Sequence, residues 1–361
     1  MHLVFDVSFH GFGHLAQSAP VANELLRRIP DLSLTVRSAL PHGALTNRIP
    51  FAFRHHPIAS DVGIPMLSAL EVDRPRTAID YGEFHAGLDS RISDYAGWLT
   101  DIKADAVVSN VAYVPLAASR RLGLPAVAMS SLNWADIFAG VCPPGGQRNA
   151  IHAEIVACYQ AADLFLLTEP GMSPGFSITL ERLSPICNAA PRRPDALRRL
   201  LGARERQKVL LVSLGGIPTT IDLAAFPERE DWLWLVPSLA SPIGRPDMHA
   251  VDKFDWPFLS LLGSCDALIT KPGYGLYAEA ACAGIPVLSS DRPGWPETPH
   301  LVEWMRRNAV IRTIPGERLL QGDISHDIDL LFAQPPRSPV PALGAARAAD
   351  LLIDLFQRRE R

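Results

Sequence analysis

The feature that most constrains this chain is a rhythm that runs, stops and starts again. In the first half, His2–Val7, Leu32–Arg37, Phe51–Arg54, Ala106–Ser109, Ala126–Met129 and Leu164–Thr168 are short apolar runs that read as strands. Leu15–Arg28, Glu83–Thr100, Pro115–Leu122 and Asn149–Ala161 lie among them with helical spacing. Runs without polar alternation suit strands buried on both faces, and intervening helices supply the crossovers that parallel strands need. The expectation is a doubly wound α/β unit. Over Glu169–Lys208 the rhythm fails, giving way to prolines and to Arg192, Arg193, Arg198, Arg199, Arg204 and Arg206. This stretch reads as a crossing between domains plus a solvated helix. Strands then resume at Val209–Ser213, Trp232–Val236, Ala267–Thr270, Ile285–Ser289 and Val310–Thr313, with helices over Leu276–Ala283 and Leu301–Asn308. A long helix, Ala342–Arg359, follows a Pro-rich segment.

Two successive units of this kind, facing each other, make a cleft beyond the carboxyl ends of their strands. The expected division is residues 1–190, residues 191–341 and a C-terminal helix over 342–361 that is free to return to the first domain. The 361 residues are enough for both units to bury a core, and 32 prolines cut the chain into short elements. A net charge of −4 and a pI near 6.3 exclude a general nucleic-acid binder. Five cysteines without a C-x-x-C pair give neither a disulfide framework nor a zinc site. The first arginine is Arg27, the first apolar run is too short for a secretory leader, and no run approaches the ~20 residues of a membrane span. The cytoplasm is the expected compartment, with a peripheral membrane contact left open.

Three motifs fall where strands run into helices. Phe9–His14 reads F-H-G-F-G-H. Gly11 and Gly13 permit a tight turn and let a ligand approach backbone N–H groups, and two histidines in such a turn suit catalysis or ligand contact. Gly215 and Gly216 follow the first strand of the second unit, where N–H groups can hold a diphosphate. Each Gly-rich turn would also serve as structure alone. The third motif, Thr270–Leu288, is the most informative. Pro272 and Gly273 stop a strand, Gly275 opens a helix, and Glu279 lies a turn and a half in, where a carboxylate can accept hydrogen bonds from a ribose diol.

The Thr270–Leu288 stretch resembles the donor-site signature of GT-B glycosyltransferases related to the peptidoglycan N-acetylglucosaminyltransferase. Gly11–His14 is similar to that family's acceptor-side turn. H-G-F-G-H, K-x-G-Y-G and Ser131–Asp136 (S-x-N-W-x-D) also resemble the glycosyltransferase-like N-terminal region of plant arabinokinase. No sugar-kinase half follows the first, so kinase activity is not implied. The resemblance implies a GT-B fold whose C-terminal domain binds a nucleotide-diphospho-sugar, UDP-linked in the family, through Gly215, Gly216, Lys271, Gly273, Tyr274, Gly275, Glu279 and Glu297. His300 lies in the same loop region as Glu297, which in the family meets the donor sugar. The N-terminal domain would bind an acceptor hydroxyl through Gly11, Gly13, Asn133 and Trp134.

The implied reaction is sugar transfer with inversion. His14 is the first choice for the base, His10 the second, and Asp136 would orient the imidazole or bind acceptor. No cofactor is expected beyond the nucleotide-sugar co-substrate, and no metal. Backbone dipoles, with Lys271 or Arg292, would meet the diphosphate charge. Asp327 and Asp329 form a D-x-D pair that reads as a solvated helix face. A nucleotide-sugar 2-epimerase or hydrolase on the same frame, and a non-catalytic nucleotide-sugar sensor, are the alternatives.

Overall fold

The computed structural model describes residues 1–188, 190–216, 219, 221–237 and 244–359. The first sheet takes β1 (His2–Val7), β2 (Ser33–Arg37), β3 (Arg54–His56), β4 (Ala106–Asn110), β5 (Ala126–Ser130), β6 (Leu164–Thr168) and β7 (Leu180–Leu183). The second takes β8 (Lys208–Val212), β9 (Trp232–Val236), β10 (Met248–Ala250), β11 (Ala267–Thr270), β12 (Val287–Ser290) and β13 (Ile311–Ile314). Their orders are β3-β2-β1-β4-β5-β6-β7 and β10-β9-β8-β11-β12-β13, and every strand pair in both is parallel. In each sheet the order reverses beside the unit's own first strand, between β1 and β4 and between β8 and β11. A crevice opens at such a reversal because successive crossovers leave toward opposite faces. The turns after β1, β8 and β11 all lie at these crevices.

Both faces of each sheet are covered, which is why the central strands are mostly apolar, with buried polar exceptions such as Asp6 and Asn110. Leu3, Phe5 and Val7 pack with Leu15, Ala19 and Ala22 of the helix Gly13–Arg28, while Val4 and Val107 face Trp134 and Phe138 across the sheet. The C-terminal helix, Gly344–Arg359, inserts Ala348, Leu352 and Phe356 into the first sheet's core and pairs Asp350 with Arg28. Thus the chain crosses to the second unit and its last helix returns to the first.

The departures from expectation are at edges and breaks. β3 is Arg54–His56, not Phe51–Arg54, and β7 and β10 add strands that the apolar pattern did not mark. These strands lie at or next to sheet edges, where one side needs no burial, so Arg-His-His and Leu-Glu-Arg-Leu suffice. The stretch read as one helix, Glu83–Thr100, is two: Arg74–Ala86 and Leu88–Asp101 meet at Gly87. The helix read as solvated, Pro194–Leu201, buries Leu197 and Leu201, and Arg198 pairs with Asp266. Asp327 is also not solvated. Its carboxylate is 2% exposed and held by Arg312 and Arg318, whereas Asp329 pairs with Arg229. Among the described residues no cluster of metal-ligating side chains occurs, and no helix is long and apolar enough to cross a membrane.

Candidate active site

The carboxyl ends of both sheets converge on a cavity of about 420 Å³. On the first-domain side, β1 ends in the turn Ser8–Phe12, where Gly11 has φ +81°, a left-handed conformation that side chains resist. The turn delivers His14 to the first turn of the helix Gly13–Arg28, buried against the edge of Trp134. His14 Nδ1 lies 2.9 Å from Asn110 Oδ1 at the end of β4. Asn110 Nδ2 donates to Gln17 Oε1 (3.1 Å), Gln17 Nε2 to Ser131 Oγ (3.0 Å), and the Ser131 hydroxyl to Glu297 Oε1 (2.7 Å). This direction requires Asn110 to present its carbonyl to the imidazole, so His14 Nδ1 carries the proton and Nε2 keeps its lone pair. Burial pushes the His14 pKa down to about 4 against the opposing Asn110 bond, so the ring is neutral at pH 7.

His10 has the other tautomer. Its Nδ1 accepts the Ile64 N–H at 3.3 Å, leaving Nε2 to carry the proton. The ring stacks 13° from parallel on Trp295, with centroids 5.9 Å apart, and meets Trp134 edge-on. Burial first, then His14, Arg292 and Lys271, lower its pKa to about 3.

The second-domain side is charged. Lys271 follows β11 directly, and burial followed by the neighbouring Arg292 brings its pKa down to about 7. Gly273 caps the helix Tyr274–Ala283, whose N-terminus faces the cavity. A Cβ on Gly275 would touch Ala16 at 3.6 Å and Gly13 Cα at 3.8 Å, so the N-termini of the two helices nearly meet. A Cβ on Gly216 would lie 2.7 Å from the Phe12 ring, which only glycine avoids. Gly215, at φ +81°, also lines the cavity. Glu279 accepts from Arg48 of the first domain at 3.2 Å, and burial raises its pKa against that pairing. Glu297 is fully engaged: Ser131 holds one oxygen and the Trp295 indole the other, at 3.2 Å.

Of the expected residues, His10, Gly11, Gly13, His14, Gly215, Gly216, Lys271, Gly273, Tyr274, Gly275, Glu279 and Glu297 all line this cavity. Tyr274 does so without offering its hydroxyl. Its hydroxyl bonds Thr168 Oγ1 and both backbone groups of Ile186, joining the domains behind the cavity. Asn133, Trp134 and Asp136 lie behind the wall instead of on it. Asn133 caps the helix Trp134–Val141 through the Asp136 N–H at 2.8 Å, and Trp134 donates to Asp61 at 2.7 Å. Asp136 does not orient His14; its carboxylate accepts from Gly175 and Asn133. His300 opens onto a separate groove beside Glu169, Arg182 and Trp304.

Sequence reasoning missed Arg48, Asn110, Gln17 and Ser131. A signal existed for Asn110 and Ser131, since each is a polar residue closing or following an apolar strand, where open α/β sheets present side chains to ligands. Arg48 gave none.

No family model matches the chain. L-arabinokinase of Arabidopsis thaliana is 26% identical over 307 residues, which is 83% of this chain and 29% of that protein's length. Among solved structures, the calicheamicin glycosyltransferase CalG4 is 18% identical, covers 99% of this chain and 98% of its own, and has a TM-score of 0.65. UGT2 of Phytolacca americana, solved with UDP-2fluoro-glucose and pterostilbene, is 15% identical, covers 99% and 94%, and has a TM-score of 0.58. The glycosyltransferase SnogD from Streptomyces nogalater is 18% identical with 99% of both chains covered and a TM-score of 0.55. Two doubly wound parallel sheets facing one cavity, matched nearly end to end by these structures, give this chain the GT-B fold.

Proposed function

We propose that the protein is a glycosyltransferase that moves a sugar from a nucleotide-diphospho-sugar, UDP-linked as in the Phytolacca complex, to an acceptor hydroxyl with inversion and without a metal. In this reading residues 1–190 bind the acceptor, residues 191–341 the donor, and residues 342–361 brace the first domain. The observation that carries it is His14: a neutral imidazole with a free Nε2, held by Asn110 directly across the cavity from a helix N-terminus.

The acceptor oxygen attacks the anomeric carbon on the face opposite the nucleotide. His14 Nε2 takes its proton while the bond from that carbon to the diphosphate oxygen breaks and the nucleotide leaves. Charge gathering on the leaving diphosphate is met by the N–H groups at Gly273–Gly275, by Gly215 and Gly216, and by Lys271. Glu279 takes the ribose hydroxyls with the oxygen that Arg48 leaves unengaged. His10, with its Nε2–H, donates and does not act as base. Release of UDP from UDP-sugars, followed with and without a panel of acceptors, tests the reading. Acceptor-dependent release supports transfer, acceptor-independent release supports the hydrolase, and binding without release supports the sensor.

A further inference from the structure

Among the described residues lining the cavity, Arg292 is the cation that the proposed reaction leaves unused. Its side chain is buried, 5% exposed, at the carboxyl side of β12. The guanidinium carbon sits 4.0 Å from the Trp295 ring centroid, one Nη donates to the Met66 sulfur at 3.5 Å, and Nε has no partner among the described residues. A thioether is a weak acceptor, so among the described residues the guanidinium meets no strong hydrogen-bond acceptor. Glu297, the neighbouring carboxylate, favours the charged guanidinium but makes no hydrogen bond to it among the described residues; its oxygens accept from Ser131 and Trp295. An unpaired buried charge is costly unless a ligand completes it.

Its location says which part of a ligand that would be. Trp295 carries Arg292 and also stacks on His10, and Met66 belongs to the first domain. Arg292 therefore reaches the His10 side of the cavity through Trp295, and it also neighbours Lys271. A planar guanidinium over a flat indole matches a carboxylate, which it can bind through two parallel hydrogen bonds. Resting on the glycosyl-transfer reading, we infer that Arg292 recognises a carboxylate on a substrate in this cavity, so that the donated sugar or the acceptor is acidic, of the uronate type.

Calorimetry on the full chain separates the sources. In the donor arm, UDP-glucuronate is compared with UDP-glucose; in the acceptor arm, galacturonate is compared with galactose in the presence of saturating UDP. The expected result is a preference for the acidic probe of about ten- to a hundredfold in one arm, the range of hydrogen bonds to a charged group. In R292Q that preference should collapse to within about threefold, with the melting temperature reporting that the variant is folded. Equal affinity for acidic and neutral probes in both arms overturns the inference, as does a preference that survives in R292Q. Failure of UDP and of both UDP-sugars to bind overturns the glycosyl-transfer reading itself.

Discussion

The same local device, a strand running through a glycine turn into a helix, builds both walls of the cavity, and the two walls differ in kind. After β1 it delivers His14 into a network of neutral amides and hydroxyls: Asn110, Gln17 and Ser131. After β11 it opens a bare helix N-terminus beside Lys271, with Arg292, Glu297 and Glu279 around it. A base needs a free lone pair, and a neutral buried surrounding keeps the imidazole unprotonated. A diphosphate needs positive potential, and a charged wall supplies it. In the proposed reaction, proton transfer and charge stabilisation therefore fall on separate walls.

The comparison breaks most visibly at His14. His14→Ala should lower turnover by about 10²–10⁴-fold, the usual contribution of a positioned base, with donor affinity close to wild type. Steady-state kinetics beside calorimetry with UDP-sugar would show it. A variant that loses donor affinity and keeps turnover would place charge recognition on the wrong wall.

On the charged wall, Glu279→Ala should weaken UDP-sugar binding by about 1–3 kcal/mol, with turnover at saturation nearly unchanged. Part of that loss arises because Arg48 is left without its carboxylate. Isothermal titration of wild type and variant measures it, and equal dissociation constants would remove Glu279 from the donor site.

Lys271→Met should cost about tenfold in UDP affinity and also remove a pH dependence. With its pKa brought down to about 7, Lys271 is charged below that pH and neutral above it. UDP affinity of the wild type should therefore fall as pH rises from 6 to 9, and the variant should show a flat profile over that range. A wild-type profile without slope would mean that Lys271 does not meet the diphosphate.

The smallest effect sharpens the neutral wall. Asn110→Asp places a carboxylate where an amide holds the imidazole, which favours protonated His14. With the wild-type His14 pKa at about 4, the acid limb of kcat/KM should lie well below pH 6. In Asn110→Asp it should move upward, with activity at pH 8 largely retained. A limb that stays in place would mean that Asn110 does not set the protonation of the base.

Most of the fold was legible because its signals are local. Continuous apolar runs mark the strands buried on both faces, and Gly11, Gly13, Gly273 and Gly275 mark the turns that end them. His10, His14, Lys271, Glu279 and Glu297 were legible as residues that meet at one cavity for the same reason, since each lies in or beside such a turn. β3, β7 and β10 were not, because a strand on or near an edge can be polar without penalty. Asn133, Trp134 and Asp136 do not line the cavity, because residues of a motif can brace a wall from behind: Asn133 is a helix cap and Trp134 a backing for two histidine rings.

By itself, then, the sequence determined two doubly wound units, the turns at their crevices and the residue types carried there. Hydrophobic period and backbone permissiveness are properties of neighbouring residues, and they survive without any tertiary context. Only the tertiary structure decided which tautomer each histidine holds, that Arg48 meets Glu279, that Ser131 meets Glu297, and that Arg292 lies on Trp295 with its Nε unanswered. Those facts join residues as far as 231 positions apart in the chain. The physical reason is that charge, tautomer and hydrogen-bond direction depend on what burial leaves beside a group, and burial is fixed only when the two domains close on each other.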